Sequence, residues 1–217
     1  MNKTQTTKSK VLMIMAHPDD EVIFGWPILQ SDIYEPEIIF LSTDEINPER
    51  KWCSNRFEAA KKICKEFNLI MPSGFPLGSE FYRLKTRNAD RAIDLLSFNL
   101  NGLRKNIREM ILEYKYDAIF SHNPIGEYGH LDHILAHILA MTFGLPVLMT
   151  DIFIPTNWTP YNEMPSRYRQ TYFRDENLVC TAKNDLDFYA KCEAIYRQFK
   201  CWTWNKPPVK ECNLYRI

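Results

Sequence analysis

Val11-Leu12-Met13-Ile14-Met15-Ala16 runs directly into His17-Pro18-Asp19-Asp20-Glu21, and this junction decides how the chain folds. An apolar run of that length, followed by turn and polar residues, reads as a strand. It is too short for a signal-peptide core and far short of the ~20 residues a membrane helix needs. Ligand sites in open parallel sheets gather at the carboxyl ends of strands. A histidine and three acids at such an end are therefore candidates for chemistry.

Outward from this junction, strand-like and helix-like segments alternate. Ile38 to Ser42, Asp117 to Ser121 and Leu145 to Phe153 have strand length and apolar content. Between them, Asn55 to Phe67 places Phe57, Ala60, Ile63, Cys64 and Phe67 on one helical face. Ala89 to Tyr114 repeats that period, and Leu131 to Phe143 is apolar on most sides, the pattern of a buried helix. A final helix is expected over Asp185 to Phe199, after a loop or extended hairpin over Pro155 to Arg174. The aromatic end from Cys201 to Ile217 carries no assigned element. Strands alternating with helices predict a mostly parallel α/β sheet with helices on both faces. With no repeat, low-complexity tract or linker, the 217 residues read as a single domain.

Lys+Arg and Asp+Glu balance at 27 each, and 45% of residues are apolar. That composition excludes general disorder and argues against nucleic acid as a partner, which needs a basic face. None of the six cysteines forms a Cys-x-x-Cys pair, so no zinc knuckle is expected. Free thiols and the lack of any membrane-length apolar run predict a cytoplasmic protein. Homo-oligomerisation is left open by the sequence.

Of five histidines, four lie between His122 and His137. Asp19, Asp20 and Glu21 could simply complement a helix dipole, with Pro18 at the first helical position. That leaves His17 unexplained. His17 and Asp20, three apart across a tight turn, can converge on a metal ion, which frees Asp19 to act as a base. The second cluster, Ser121-His122-Asn123-Pro124 and Gly126-Glu127-Tyr128-Gly129-His130-Leu131-Asp132-His133, again follows a strand. His133 would complete a His-His-Asp set. His130 would be held charged or oriented by Asp132, although Asp132 could be no more than a helix cap. A His133/His137 metal pair is the alternative, but His137 suits helix packing, and His122 suits a hydrogen-bonded supporting role. Three N/O ligands with an open fourth position describe a catalytic zinc site. The matching chemistry is metal-assisted hydrolysis of an amide or ester, with Asp19 as base and His130 as acid or oxyanion partner.

Taken together, Ala16-His17-Pro18-Asp19-Asp20-Glu21 and Gly129-His130-Leu131-Asp132-His133 resemble the PIG-L/LmbE family of zinc-dependent N-acetylglucosaminyl deacetylases. The likeness extends to Ser42-Thr43-Asp44, to Arg56 and Glu58, to Asn123, and to Lys191 through Gln198. It implies one Rossmann-like (LmbE-like) deacetylase domain over residues 1–217. It further implies His17, Asp20 and His133 as ligands to one Zn2+ (another divalent metal being the alternative), Asp19 as general base, and His130 oriented by Asp132 as its partner. The implied substrate is a small N-acetyl amino sugar or conjugate, giving free amine and acetate. Arg56, Asn123 and Tyr128 are the candidate substrate contacts; Trp202 and Trp204 are candidates for stacking on a sugar ring. The chain departs from the family pattern at Phe24-Gly25-Trp26-Pro27 and at Leu131, where a proline is usual. The rival readings are another metal-dependent amidohydrolase or esterase, a phosphoesterase, and a non-catalytic sugar-binding relative. A phosphoesterase would want more bridging carboxylates, and a non-catalytic relative would lack a ligand or the base.

Overall fold

The computed structural model describes residues 7–42, 54–74, 89–155 and 170–217. Most of the Pro155–Arg174 segment, and Thr43 and Asp44 of the resemblance, lie outside the described residues.

The opening apolar run forms β1 (Ser9–Met15), whose last five residues are all buried. It sits centrally, parallel to β2 (Tyr34–Phe40) on one side and to β4 (Ala118–Ser121) on the other. Short β3 (Ser73–Gly74) extends the β2 side, and β5 (Val147–Thr150) continues in parallel beyond β4. The sheet order is β3-β2-β1-β4-β5-β7-β6, with β7 (Glu211–Arg216) and β6 (Leu178–Lys183) joining antiparallel. These last two strands were not anticipated. β6 is an edge strand exposed along nearly its whole length, so its side chains lack the buried pattern that betrays a strand.

Period-two alternation splits the core into two layers. Val11, Met13 and Met15 face Ile38, Phe40 and Phe120, roofed by the Ser54–Glu66 and Leu186–Gln198 helices. Leu12 and Ile14 face Ile39 and Ile119 on the other side, under Leu103, Ile107, Ala136 and Leu139. Those residues belong to the Ala89–Tyr114 and Leu131–Ala140 helices. The expected α/β sheet with helices on both faces is thus the observed one. The Leu131–Ala140 helix is less enclosed than its composition predicts: Leu131 and Ile138 are exposed, and a 3-10 turn over Met141–Phe143 ends it at Gly144. No described helix is long and apolar enough to cross a membrane. Cys64, Cys180, Cys192, Cys201 and Cys212 are free thiols.

Since β1 connects toward β2 while β4 lies on its other flank, the strand order reverses between β1 and β4. A crevice opens at the carboxyl ends of such neighbours. Both histidine clusters leave the sheet there.

Candidate active site

Immediately beyond β1 the chain turns sharply. Asp19 adopts φ 113°, a left-handed conformation that costs a non-glycine residue strain and gathers at functional sites. The turn is held by Asp19 N–H donating to Glu21 Oε2 at 2.8 Å, and by the amides of Val22 and Ile23 donating to Asp19 O. The helical turn proper begins at Asp20, so Pro18 precedes it rather than occupying its first position. Glu21 is not a surface dipole partner. It is buried, accepts the Tyr196 hydroxyl at 2.6 Å, and is pushed by burial up to about 8.

The Asp20 carboxylate is the hub. Its Oδ2 accepts the His17 amide at 2.8 Å and lies 3.2 Å from His17 Nδ1. His122 Nε2 and His133 Nε2 are each 3.4 Å from the same oxygen. Burial alone would favour the protonated acid. The His17 amide and ring, which donate to it, favour the ionised form, and Asp20 is held well below its ordinary 3.8.

The second cluster is delivered by β4 and a loop with Gly126 at φ 63° and Gly129 at φ 83°. His130 ends that loop in extended geometry, and its Nδ1 accepts the Asp132 amide, capping the Leu131–Ala140 helix. The Asp132 carboxylate turns away to accept from His17 Nε2 at 2.9 Å. Orientation of His130 therefore comes from the Asp132 main chain, and the Asp132 side chain orients His17 instead. Burial, with the imidazoles of His133 and His17 beside it, pushes His130 down to about 3. The ring is neutral in the free protein, not charged. With Nδ1 accepting, its proton sits on Nε2.

His133 is fully buried, and burial keeps it neutral. Its Nδ1 meets Glu127 Oε2 at 2.7 Å, while its Nε2 has no hydrogen-bond partner among the described residues. A buried imidazole nitrogen facing a carboxylate without a hydrogen bond is what a metal ligand presents before it binds. Ligand atoms of His17, His130 and His133 lie within 4.8 Å of one another, as do those of Asp20, His122 and His133. The expected ligands His17, Asp20 and His133 thus span two overlapping groups that share His133. The donor set fits a divalent cation such as zinc.

At His122, burial opposes charge and the Glu127 and Asp20 carboxylates favour it, lifting the ring to about 9. Against this, the Ala16 amide donates to His122 Nε2 at 3.1 Å, which needs a lone pair there. Because the β1 main chain fixes that amide, the neutral ring protonated on Nδ1 fits better. Both nitrogens are then engaged, Nδ1 with Glu127 and Nε2 with the Ala16 amide.

Asp19 faces a different group. Arg56 Nη2 lies 3.1 Å from Asp19 Oδ2 and also donates to Thr203 Oγ1, which sits 3.5 Å from the same carboxylate oxygen. Burial pushes Asp19 up to about 7 against the pull of Arg56. Of the candidate substrate contacts, Arg56 is therefore joined to Asp19; its neighbour Glu58 pairs with Lys61. Asn123 spends its amide inside the protein, donating to Ile152 O and Thr150 O and accepting from the amides of Ile125 and Glu127. That pins the loop. Tyr128 packs edgewise against His130 and His133, and burial pushes its hydroxyl upward, so it remains a donor. Trp204 reaches the same wall, 5.9 Å from Tyr128 and 5.5 Å from Phe24. Thr203 and Glu127 were given no role from sequence. Thr203 meets the site only through the fold, and Glu127 offered one signal, an acid in a glycine loop just ahead of His130.

The fold and site define a Rossmann-like α/β protein with a histidine–carboxylate centre at its switch point. Residues 12–143 match the family model described as PIG-L, GlcNAc-PI de-N-acetylase, and the chain belongs to this family. Among curated proteins it is similar to the uncharacterized protein L374 of Acanthamoeba polyphaga mimivirus, with 23% identity over 192 residues, 79% of this chain and 74% of that protein. Among solved structures it resembles the deacetylase–bog complex of the teicoplanin biosynthesis pathway, with TM-score 0.61 and 12% identity over 96% of this chain and 99% of that one. It also resembles N,N'-diacetylchitobiose deacetylase from Pyrococcus horikoshii, with TM-score 0.48 and 14% identity over 96% and 84% of the two chains.

Proposed function

We propose that this protein is a zinc-dependent N-deacetylase that hydrolyses the acetamide of a GlcNAc-type sugar or glycoconjugate to free amine and acetate. The observation that carries this reading is the buried His133 Nε2, without a hydrogen bond and facing Asp20 Oδ2 beside the separate carboxylate of Asp19. Membership of a de-N-acetylase family supports the choice of bond. His17, Asp20 and His133 would hold the cation.

A divalent cation held there supplies Lewis-acid activation of water and of the amide carbonyl. The remaining work falls to this chain's own groups. Asp19, poised at about 7, accepts the proton of the attacking water, where a base with a pKa near the working pH is most effective. Arg56 and Thr203 fix its carboxylate in direction. Neutral His130 presents Nε2–H to the developing oxyanion, and the Tyr128 hydroxyl is a second donor on that side. The proton collected by Asp19 then leaves with the amine. The test is acetate release over a panel of N-acetylhexosamine conjugates with metal content measured in parallel. Wild-type protein is expected to carry about one zinc per chain, and Asp19→Asn to keep the metal and lose turnover. A wild-type protein without metal, or an active Asp19→Asn variant, overturns the reading.

A further inference from the structure

Glu127 is an oddity that the proposed reaction leaves unused. It is a buried carboxylate in the glycine loop, at φ 54° and ψ −45°. A side chain with a Cβ pays strain for that conformation, and strain of this kind persists only where the surroundings over-determine it. Here they do. Glu127 N–H donates to Asn123 Oδ1 at 3.1 Å, and its carbonyl accepts the Ile154 amide at 2.9 Å. Its carboxylate takes three more donors. Oε1 accepts the Asn123 amide at 3.1 Å. Oε2 lies 2.7 Å from His133 Nδ1 and 3.0 Å from His122 Nδ1, and these two rings stack with centroids 3.9 Å apart.

An ionised carboxylate accepts hydrogen bonds and donates none. In a neutral ring the nitrogen that hydrogen-bonds a carboxylate carries the proton and the opposite nitrogen is bare. For His133 that nitrogen is Nδ1, 2.7 Å from Glu127, since Nε2, 3.4 Å from Asp20, makes no hydrogen bond. We infer that Glu127 is a positioning residue that fixes His133 as the Nδ1–H tautomer and aims its Nε2 lone pair at Asp20, setting the ring for metal before any metal arrives. This rests on the metal-site reading for its purpose, but the tautomer itself can be measured without metal. The left-handed backbone is what turns the side chain inward; the shared oxygen makes one carboxylate serve both rings.

The test begins with long-range 1H–15N correlation spectra of the metal-free protein at neutral pH, with His133 assigned by its loss in His133→Gln. Wild-type His133 is expected to show the Nδ1–H pattern, and Glu127→Gln to shift it toward Nε2–H or a mixture. Chelator competition should then show zinc bound about 10–100-fold more weakly by Glu127→Gln, the usual cost of losing a partner of this kind. Should Glu127→Gln fail to fold, Glu127→Asp carries the same comparison, since it withdraws the carboxylate by one methylene and keeps its charge. A wild-type His133 protonated on Nε2, or a variant with unchanged tautomer and zinc affinity, overturns the inference. If wild-type protein shows the expected tautomer and binds no zinc, the positioning role stands and the metal-site reading falls.

Discussion

Arg56 Nη2 lies 3.1 Å from Asp19 Oδ2, with both side chains buried, so a guanidinium from the Ser54–Glu66 helix holds the carboxylate of the residue at the β1 turn. This pair gives Arg56 a task other than gripping substrate. Breaking a buried pair strands the remaining charge, which costs about 3–5 kcal/mol, whereas removing a substrate contact leaves folding stability untouched. Arg56→Met is therefore expected to lower the urea-unfolding free energy by about 3–5 kcal/mol. Arg56→Met combined with Asp19→Asn should recover part of that loss, because no unpaired carboxylate is left behind. A single variant of wild-type stability with only a raised KM would return Arg56 to the substrate side.

Gly25 sits where the turn after Asp20 doubles back beneath β1. A Cβ built there would lie 2.5 Å from Met13 Cε and 2.8 Å from the carbonyl oxygen of Glu21. The methionine end can swing aside; the carbonyl belongs to the turn that carries Asp19 and Asp20 and cannot move without moving them. Backbone conformation is not the obstacle, since φ is −89°. Gly25→Ala should destabilise by about 1–3 kcal/mol, as overpacking does. Zinc affinity should fall with it. Thermal melting with and without zinc checks both parts, and an unperturbed variant would mean the turn is softer than its contacts suggest.

The sheet core and its site were legible to different depths, for physical reasons. β1 announces itself because a strand buried on both faces must be apolar throughout, and Asp19, Asp20, His130 and His133 stand out because they fall in two short histidine–acid strings, each just beyond a strand. What escaped depends on distance along the chain or on backbone handedness. Thr203 reaches Asp19 only because the chain returns past β1 after the Leu186–Gln198 helix. Asp132 and Asn123 were found as residues but not as roles. Which group each carboxylate or amide meets is set by the loop's turns: the Asp132 carboxylate goes to His17 and its amide to His130, while Asn123 is consumed by main-chain groups. β6 was missed because an exposed edge strand has no buried face to leave a pattern.

His137, one helical turn beyond His133, offers a pH measurement. It is buried, with Nδ1 2.9 Å from the carbonyl oxygen of His122. Burial pushes its proton affinity below the ordinary 6.5, against the smaller opposing effect of that hydrogen bond. As pH falls through 6.5 the unfolded ring takes up a proton that the folded ring still refuses. The unfolded state then binds more protons, so stability present above about 6.5 is lost toward acid, at up to about 1.4 kcal/mol per pH unit for one full proton. His137→Gln keeps an N–H for the His122 carbonyl and removes the titration. Urea midpoints measured from pH 7.5 down to 5 should therefore fall less steeply in His137→Gln than in wild type. Parallel curves for the two proteins would show that His137 accepts its proton in the folded state as readily as in the unfolded one.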